Sequence, residues 1–172
     1  MLWVVKRMGL VFMITLAIRS PLFSAEMDHD DPVAQIINGT RTTGLGCGAR
    51  AIYLLLAANG ISSQLSEITV RVDPEQTGIC SAADIIKYFD SLSMKARLVT
   101  CNENDLLHAK EGILLILKNI NNKEVLHFAY AMHSKEGGLE LVDPTLGSDP
   151  QPIKKEWLAR MWDGEAILVN HP

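Results

Sequence analysis

The chain has 172 residues, 48 % of them hydrophobic and 21 % charged, which suits one domain with a substantial core. Its formal net charge is −4, and residues 1–25 hold Lys6, Arg7 and Arg19 with no acid, so the remainder carries −7. An acidic body lacks the positive footprint that nucleic acid demands of a partner, and that class is set aside.

At the N-terminus, Lys6 and Arg7 precede an apolar run over 9–18, followed by Ser20-Pro21 and the small residue Ala25, the order found in secretory signals. The run is shorter than the roughly twenty apolar residues of a membrane span. Arg19 and the bulky Phe23 suit a cleavage site poorly. Residues 1–25 are therefore expected to be either a signal peptide or an N-terminal membrane anchor, and the protein extracytoplasmic, secreted or anchored by that segment. Residues 26–32, Glu-Met-Asp-His-Asp-Asp-Pro, have no hydrophobic period and read as an acidic linker. The folded domain is assigned to 33–172.

Residues 47–58 have the length and Ala/Leu content of a buried helix closed by Asn59-Gly60. A short helix over 64–70 should stop before Asp73-Pro74. Ser81 and Asp84 have the spacing of a capping box, and Ile85, Ile86, Tyr88, Phe89 and Leu92 supply the apolar stripe of a helix over 81–92. A strand over 96–100 and a brief helix capped by Asn102 or Asn104 follow, and Gly112 ends that helix. From there the period changes to extended. Residues 113–120 and 125–133 read as a hairpin turning at Asn121-Asn122, with His127, Ala129 and Ala131 on one face of the second strand. A third strand over 139–142 should end at Asp143-Pro144. Trp157, Leu158, Met161 and Trp162 form the apolar side of a helix on this sheet, and 166–169 the last strand. Helices first and antiparallel strands second make an α+β domain.

Within that order lies a chemical pattern. Gly44, Gly46 and Gly48 crowd Cys47 at a helix start, where unpaired N–H groups and roughly half a positive charge favour thiolate. A plainer reading stands beside it, since free cysteine is also a common small buried hydrophobe. In an oxidising compartment a Cys80–Cys101 bridge would leave Cys47 as the free thiol. Thiol hydrolysis needs a nucleophile, a base that later protonates the leaving amine, and a group that orients the imidazole. Cys47 at a helix start, His127 in a strand and Asp143 at the end of the next strand can fill those places.

Gly46-Cys47-Gly48-Ala49, Leu126-His127-Phe128-Ala129 and Leu141-Val142-Asp143-Pro144-Thr145-Leu146-Gly147 resemble the three motif blocks of the double-glycine leader peptidases. These are papain-like cysteine peptidase domains best known at the N-terminus of ABC exporters for bacteriocins and other peptides. Trp162-Asp163-Gly164-Glu165-Ala166-Ile167-Leu168 is similar to their last strand, so the likeness runs over about 33–170. The resemblance implies a papain-like fold, N-terminal helices packed on a C-terminal antiparallel sheet. It also implies hydrolysis of a peptide or protein after a small-residue pair such as Gly-Gly, with no cofactor. In that reading Cys47 attacks the carbonyl, His127 exchanges the proton and Asp143 holds the tautomer.

Two positions depart from the family pattern. The glutamine six residues before the cysteine, whose amide helps hold the oxyanion, is Arg41 here, and the acidic residue just before the cysteine is Gly46. Two readings follow: a peptidase in which the Arg41 guanidinium donates to the oxyanion, or a relative that grips peptides without cutting them. A metal site built from Cys47, His127 and another Cys or His lacks any ligand-pair spacing such as Cys-x-x-Cys. No Walker-type Gly-x-x-x-x-Gly-Lys-[Ser/Thr] run occurs, and a stand-alone exported relative served by separate export machinery is expected.

Overall fold

Apolar side chains on both faces of the strands dictate a sheet covered on both sides. A computed structural model describes residues 46–118, 126–143 and 149–170. Residues 1–32, Arg41, the turn expected at Asn121-Asn122 and residues 144–147 of the third motif block lie outside this set. Among the described residues no helix is long and apolar enough to cross a membrane.

Three helices come first. Helix α1, Cys47–Ala58, buries Ala49, Ala51, Ile52, Leu55 and Leu56, as a helix apolar nearly all round must. It ends where the Asn59 side-chain amide donates to the Leu55 carbonyl at 2.7 Å and Gly60 takes φ +71°. Helix α2, Leu65–Val72, turns Leu65, Ile68 and Val72 inward and stops at Asp73-Pro74. Helix α3, Ala82–Ser91, opens with the expected reciprocal box: the Asp84 N–H donates to Ser81 Oγ at 3.2 Å and the Ser81 N–H to Asp84 Oδ2 at 3.1 Å.

The remaining chain supplies β1 (Ala96–Thr100), α4 (Glu103–His108, capped by Asn102), β2 (Gly112–Lys118), β3 (Leu126–His133), β4 (Leu139–Val142), β5 (Gln151–Pro152), α5 (Lys155–Met161) and β6 (Trp162–Val169). They form one antiparallel sheet in the order β1-β6-β2-β3-β4-β5. Strand alternation sorts the core into two. Leu114, Ile116, Phe128, Tyr130, Val142, Ile167 and Val169 face α1, α2 and α3, whereas Ile113, Leu115, Leu117, Ala129, Ala131, Leu141 and Leu168 pack with Leu106 of α4 and Leu158 of α5. The unbroken apolar run of β2 follows from burial on both faces.

Three details differ from the sequence expectation. Trp162 opens β6 instead of closing the preceding helix: it pairs with Leu117, and its indole N–H donates to the Glu165 carbonyl at 2.6 Å across Gly164, which has φ +91°. A bulge in the facing register between Leu115 and Leu117 accommodates this turn. Strand β5 has only two residues, too few for any period. The cysteines also differ: all three are free, Cys80 packing in the helix-side core and Cys101 on the opposite face of the sheet, so a Cys80–Cys101 bridge is not formed.

Leu55 is fully buried between α1 and the sheet. Leu55→Ala should cost about 2–5 kcal/mol of unfolding free energy, read as a lower urea midpoint at unchanged slope; a loss below about 0.5 kcal/mol would contradict the packing described.

Candidate active site

Strand register explains how two of the expected residues meet. Tyr130 of β3 pairs with Val142 of β4, and one further step sets Asp143 opposite Ala129. Ala129 is fully buried and carries only a methyl group, so the Asp143 carboxylate can pass it and reach His127, the next residue on that face. His127 Nε2–H donates to Asp143 Oδ2 at 2.9 Å, with the two side chains only 16 % and 9 % exposed. This bond commits Nε2 and leaves Nδ1 for Cys47, to which the imidazole is also hydrogen-bonded.

Cys47 arrives from the other layer. Helix α1 packs along β3, and its first residue lies against the start of that strand, where the Phe128 backbone N–H donates to Cys47 Sγ at 3.4 Å. Gly46 precedes the helix in extended conformation, with φ −62° and ψ 149°, and has no side chain with which to cap it. The first N–H groups of α1 are thus not consumed by an N-cap side chain, and a developing oxyanion could use them.

Charge follows this geometry. Burial alone would push the Cys47 thiol up, but the hydrogen bond to His127, the Phe128 N–H and the positive imidazolium outweigh it, and the thiol falls below its ordinary value of 9.0. Burial alone would lower His127; hydrogen bonds to Asp143 and Cys47 and their negative charges raise it instead to about 10. Both shifts favour the same charge state, a Cys47 thiolate beside a His127 imidazolium.

The structure therefore brings Cys47, His127 and Asp143 together. Arg41 lies outside the described residues. Among those residues no group of three His, Cys, Asp or Glu side chains is placed to hold a metal ion.

Three features of the site went unread in the sequence. The Phe128 N–H is a backbone group whose role depends on tertiary placement, so nothing in the sequence signals it. Arg50, one helical turn after Cys47, is buried and within the electrostatic reach of the thiolate. The third is the bracing of the loop after α2, where Asp73-Pro74 signalled only the end of that helix. Asp73 is buried and its carboxylate accepts from the Thr77 N–H at 3.0 Å, the Thr77 hydroxyl at 3.0 Å and the Gly78 N–H at 2.6 Å. Burial would raise its pKa, and these bonds lower it. So braced, the loop lays the Gly78 carbonyl against Gly46, where a Cβ would sit 2.5 Å from that oxygen. An acidic side chain has no room there, which explains the glycine before Cys47.

The sequence profile of the peptidase C39 family matches residues 41–172. The chain belongs to the peptidase C39 family. Members are cysteine peptidases, and the matched segment carries all three residues gathered here. Solved structures with the same fold include a double-glycine motif protease from an AMS/PCAT transporter, in complex with the leader peptide, at 19 % identity and TM-score 0.59, covering 72 % of this chain and 83 % of that one. The peptidase domain of Streptococcus ComA, a bi-functional ABC transporter involved in quorum sensing, is similar at 17 % identity and TM-score 0.60, over 73 % and 91 % of the two chains. So is the N-terminal peptidase C39-like domain of the toxin secretion ATP-binding protein from Vibrio parahaemolyticus, at 15 % and 0.54, over 74 % and 98 %. No curated protein matches. At these identities the C39 neighbours speak to fold, and the papain-like α+β architecture is common to all three.

If Asp143 sustains the imidazolium, Asp143→Ala should lower the His127 titration midpoint by at least about one pH unit, followed by NMR of the ring protons. An unchanged midpoint would contradict the 2.9 Å bond.

Proposed function

We propose that this C39 family member hydrolyses peptide bonds with Cys47 as nucleophile, His127 as general acid–base and Asp143 as the group that orients the imidazole. The observation that carries the reading is one imidazole bonded at Nε2 to a buried carboxylate and also to a thiol at a helix start.

In the reaction the Cys47 thiolate adds to the scissile carbonyl, and the N–H groups at the start of α1 receive the oxyanion. The His127 imidazolium gives its Nδ1 proton to the departing amine, and the acyl-enzyme forms. The neutral imidazole then takes a proton from water, hydroxide attacks the thioester, and peptide acid and thiolate are released. Throughout, Asp143 keeps Nε2 protonated, so that Nδ1 faces the chemistry.

The substrate reading is a peptide cut after a small-residue pair such as Gly-Gly. The leader peptide bound to the transporter protease supports it by fold likeness, and the fit of Gly78 against Gly46 supports it by leaving little room beside Cys47. Exposed Leu126 and Ile79, next in sequence to His127 and Cys80, offer apolar surface for the substrate's upstream residues. The signal-like segment 1–25 favours an extracytoplasmic site of action and a peptide delivered by separate export machinery. A second reading, peptide binding without turnover, draws on Arg41 in place of the oxyanion glutamine.

One experiment separates them. A library of peptides with internal Gly-Gly, Gly-Ala and bulky control pairs is incubated with wild type and Cys47→Ala. Cleavage by wild type after the small pairs, reduced at least about a thousandfold in the variant, is the expected result. Binding equal in both proteins with no turnover in either would select the binder.

A further inference from the structure

A second thiol lies against the start of α1. The loop 73–80 and the residues 46–48 run side by side in the same direction, touching at two points. At the first, a Cβ on Gly46 would lie 3.5 Å from Gly78 Cα, which places the two Cα atoms within about 5 Å. At the second, a Cβ on Gly48 would overlap Cys80 Sγ, so that sulfur is within about 4 Å of Gly48 Cα. Cys47 is the residue between these contacts. A disulfide needs Cα atoms about 4.4–6.8 Å apart with side chains that converge; the Cys80 sulfur lies against Gly48, the residue next to Cys47, and close enough to Cys47 to feel its charge. Both thiols are half-buried and free, and Cys101 is beyond the sheet.

We propose that Cys80 is a resolving cysteine for Cys47, so that oxidation by a hydroperoxide converts the peptidase to a Cys47–Cys80 disulfide, inactive and recoverable by dithiol. The proposal rests on Cys47 being the reactive thiolate of the preceding reading. In the first step the Cys47 thiolate attacks the terminal oxygen of the hydroperoxide; an S–O bond forms, the O–O bond breaks, and hydroxide (from hydrogen peroxide) or alkoxide (from an organic hydroperoxide) leaves, giving Cys47 sulfenic acid. Next the Cys80 sulfur attacks the sulfenic sulfur. The S–S bond forms, the S–O bond breaks, and the Cys80 proton leaves with the hydroxyl group as water. Two thiols have lost two electrons, and the peroxide has gained them.

The surroundings suit this order of events. Burial, and then the negative charge of Cys47, push the Cys80 thiol up to about 12, so Cys80 remains protonated and does not compete for the oxidant. Once Cys47 is a neutral sulfenic acid that repulsion is gone. The Gly48 N–H, which already bonds the Cys80 sulfur, can then support its thiolate. Gly48 has its own reason here, since any side chain at that position would occupy the sulfur's place. A resolving thiol also protects the nucleophile, because disulfide formation competes with irreversible sulfinic and sulfonic oxidation.

The test uses the full chain, wild type and Cys80→Ser, reduced and then exposed to hydrogen peroxide. Peptide mapping by mass spectrometry is expected to find a Cys47–Cys80 disulfide in wild type, with dithiothreitol returning free Cys47. In Cys80→Ser, Cys47 should accumulate as sulfinic or sulfonic acid at least about tenfold more. Equal over-oxidation in both proteins, a Cys80–Cys101 link, or a dimer joined through Cys47 would each overturn the proposal. Iodoacetamide applied to the reduced wild type keeps the two readings apart. A Cys47 alkylated no faster at neutral pH than an ordinary thiol overturns the catalytic reading, whereas rapid alkylation without the disulfide overturns only the resolving role.

Discussion

The bond from His127 to Asp143 is the constraint on which the site depends, because it decides which face of one imidazole meets the thiol. It exists only while β3 and β4 keep their register, since a slip of one residue would turn His127 or Asp143 to the other face. Register in turn is held by the two cores, which sort Phe128 and Tyr130 toward the helices and Ala129 and Ala131 away from them. The same sorting presses α1 onto β3 and delivers Cys47 to the Phe128 N–H. Packing that has no chemistry of its own thus sets distances that do.

Electrostatically the site is a contest between desolvation and pairing. Burial works against charge on both Cys47 and His127, yet each shift goes the opposite way, so the hydrogen bonds and mutual attraction prevail. An ion pair survives partial burial when its remaining donors and acceptors are satisfied. Asp143 does this for Nε2 and Phe128 for the sulfur. The braced loop after α2 adds a steric layer: by closing on Gly46 it fixes the chain's entry to α1 and brings Cys80 beside Gly48.

Much of this was legible in the sequence wherever local rules act. The Ser81/Asp84 box, the Asn59-Gly60 close and the period-two strands set the elements within a few residues, and the three motif blocks marked Cys47, His127 and Asp143. Trp162 was misplaced because an aromatic at helical spacing after Leu158 satisfies the helix period as well as the strand. Only its pairing with Leu117 decides. The two-residue β5 and the Phe128 donor left no trace, since neither involves a side-chain pattern. Cys80 and Cys101 could not be paired by counting, because the sheet that separates them is a tertiary fact.

The central claim, that Cys47 is a thiolate sustained by the His127 imidazolium, is tested most directly by thiolate absorbance at 240 nm, titrated in wild type with Cys47→Ala as the subtraction. The account predicts an absorbance step assigned to Cys47 with its midpoint below 9.0, and an imidazolium that persists to about pH 10. Above that pH His127 loses its proton and the pair its donor, so reactivity should be confined between the two midpoints. A Cys47 that ionises at or above 9.0, with His127 neutral at pH 7, would contradict it.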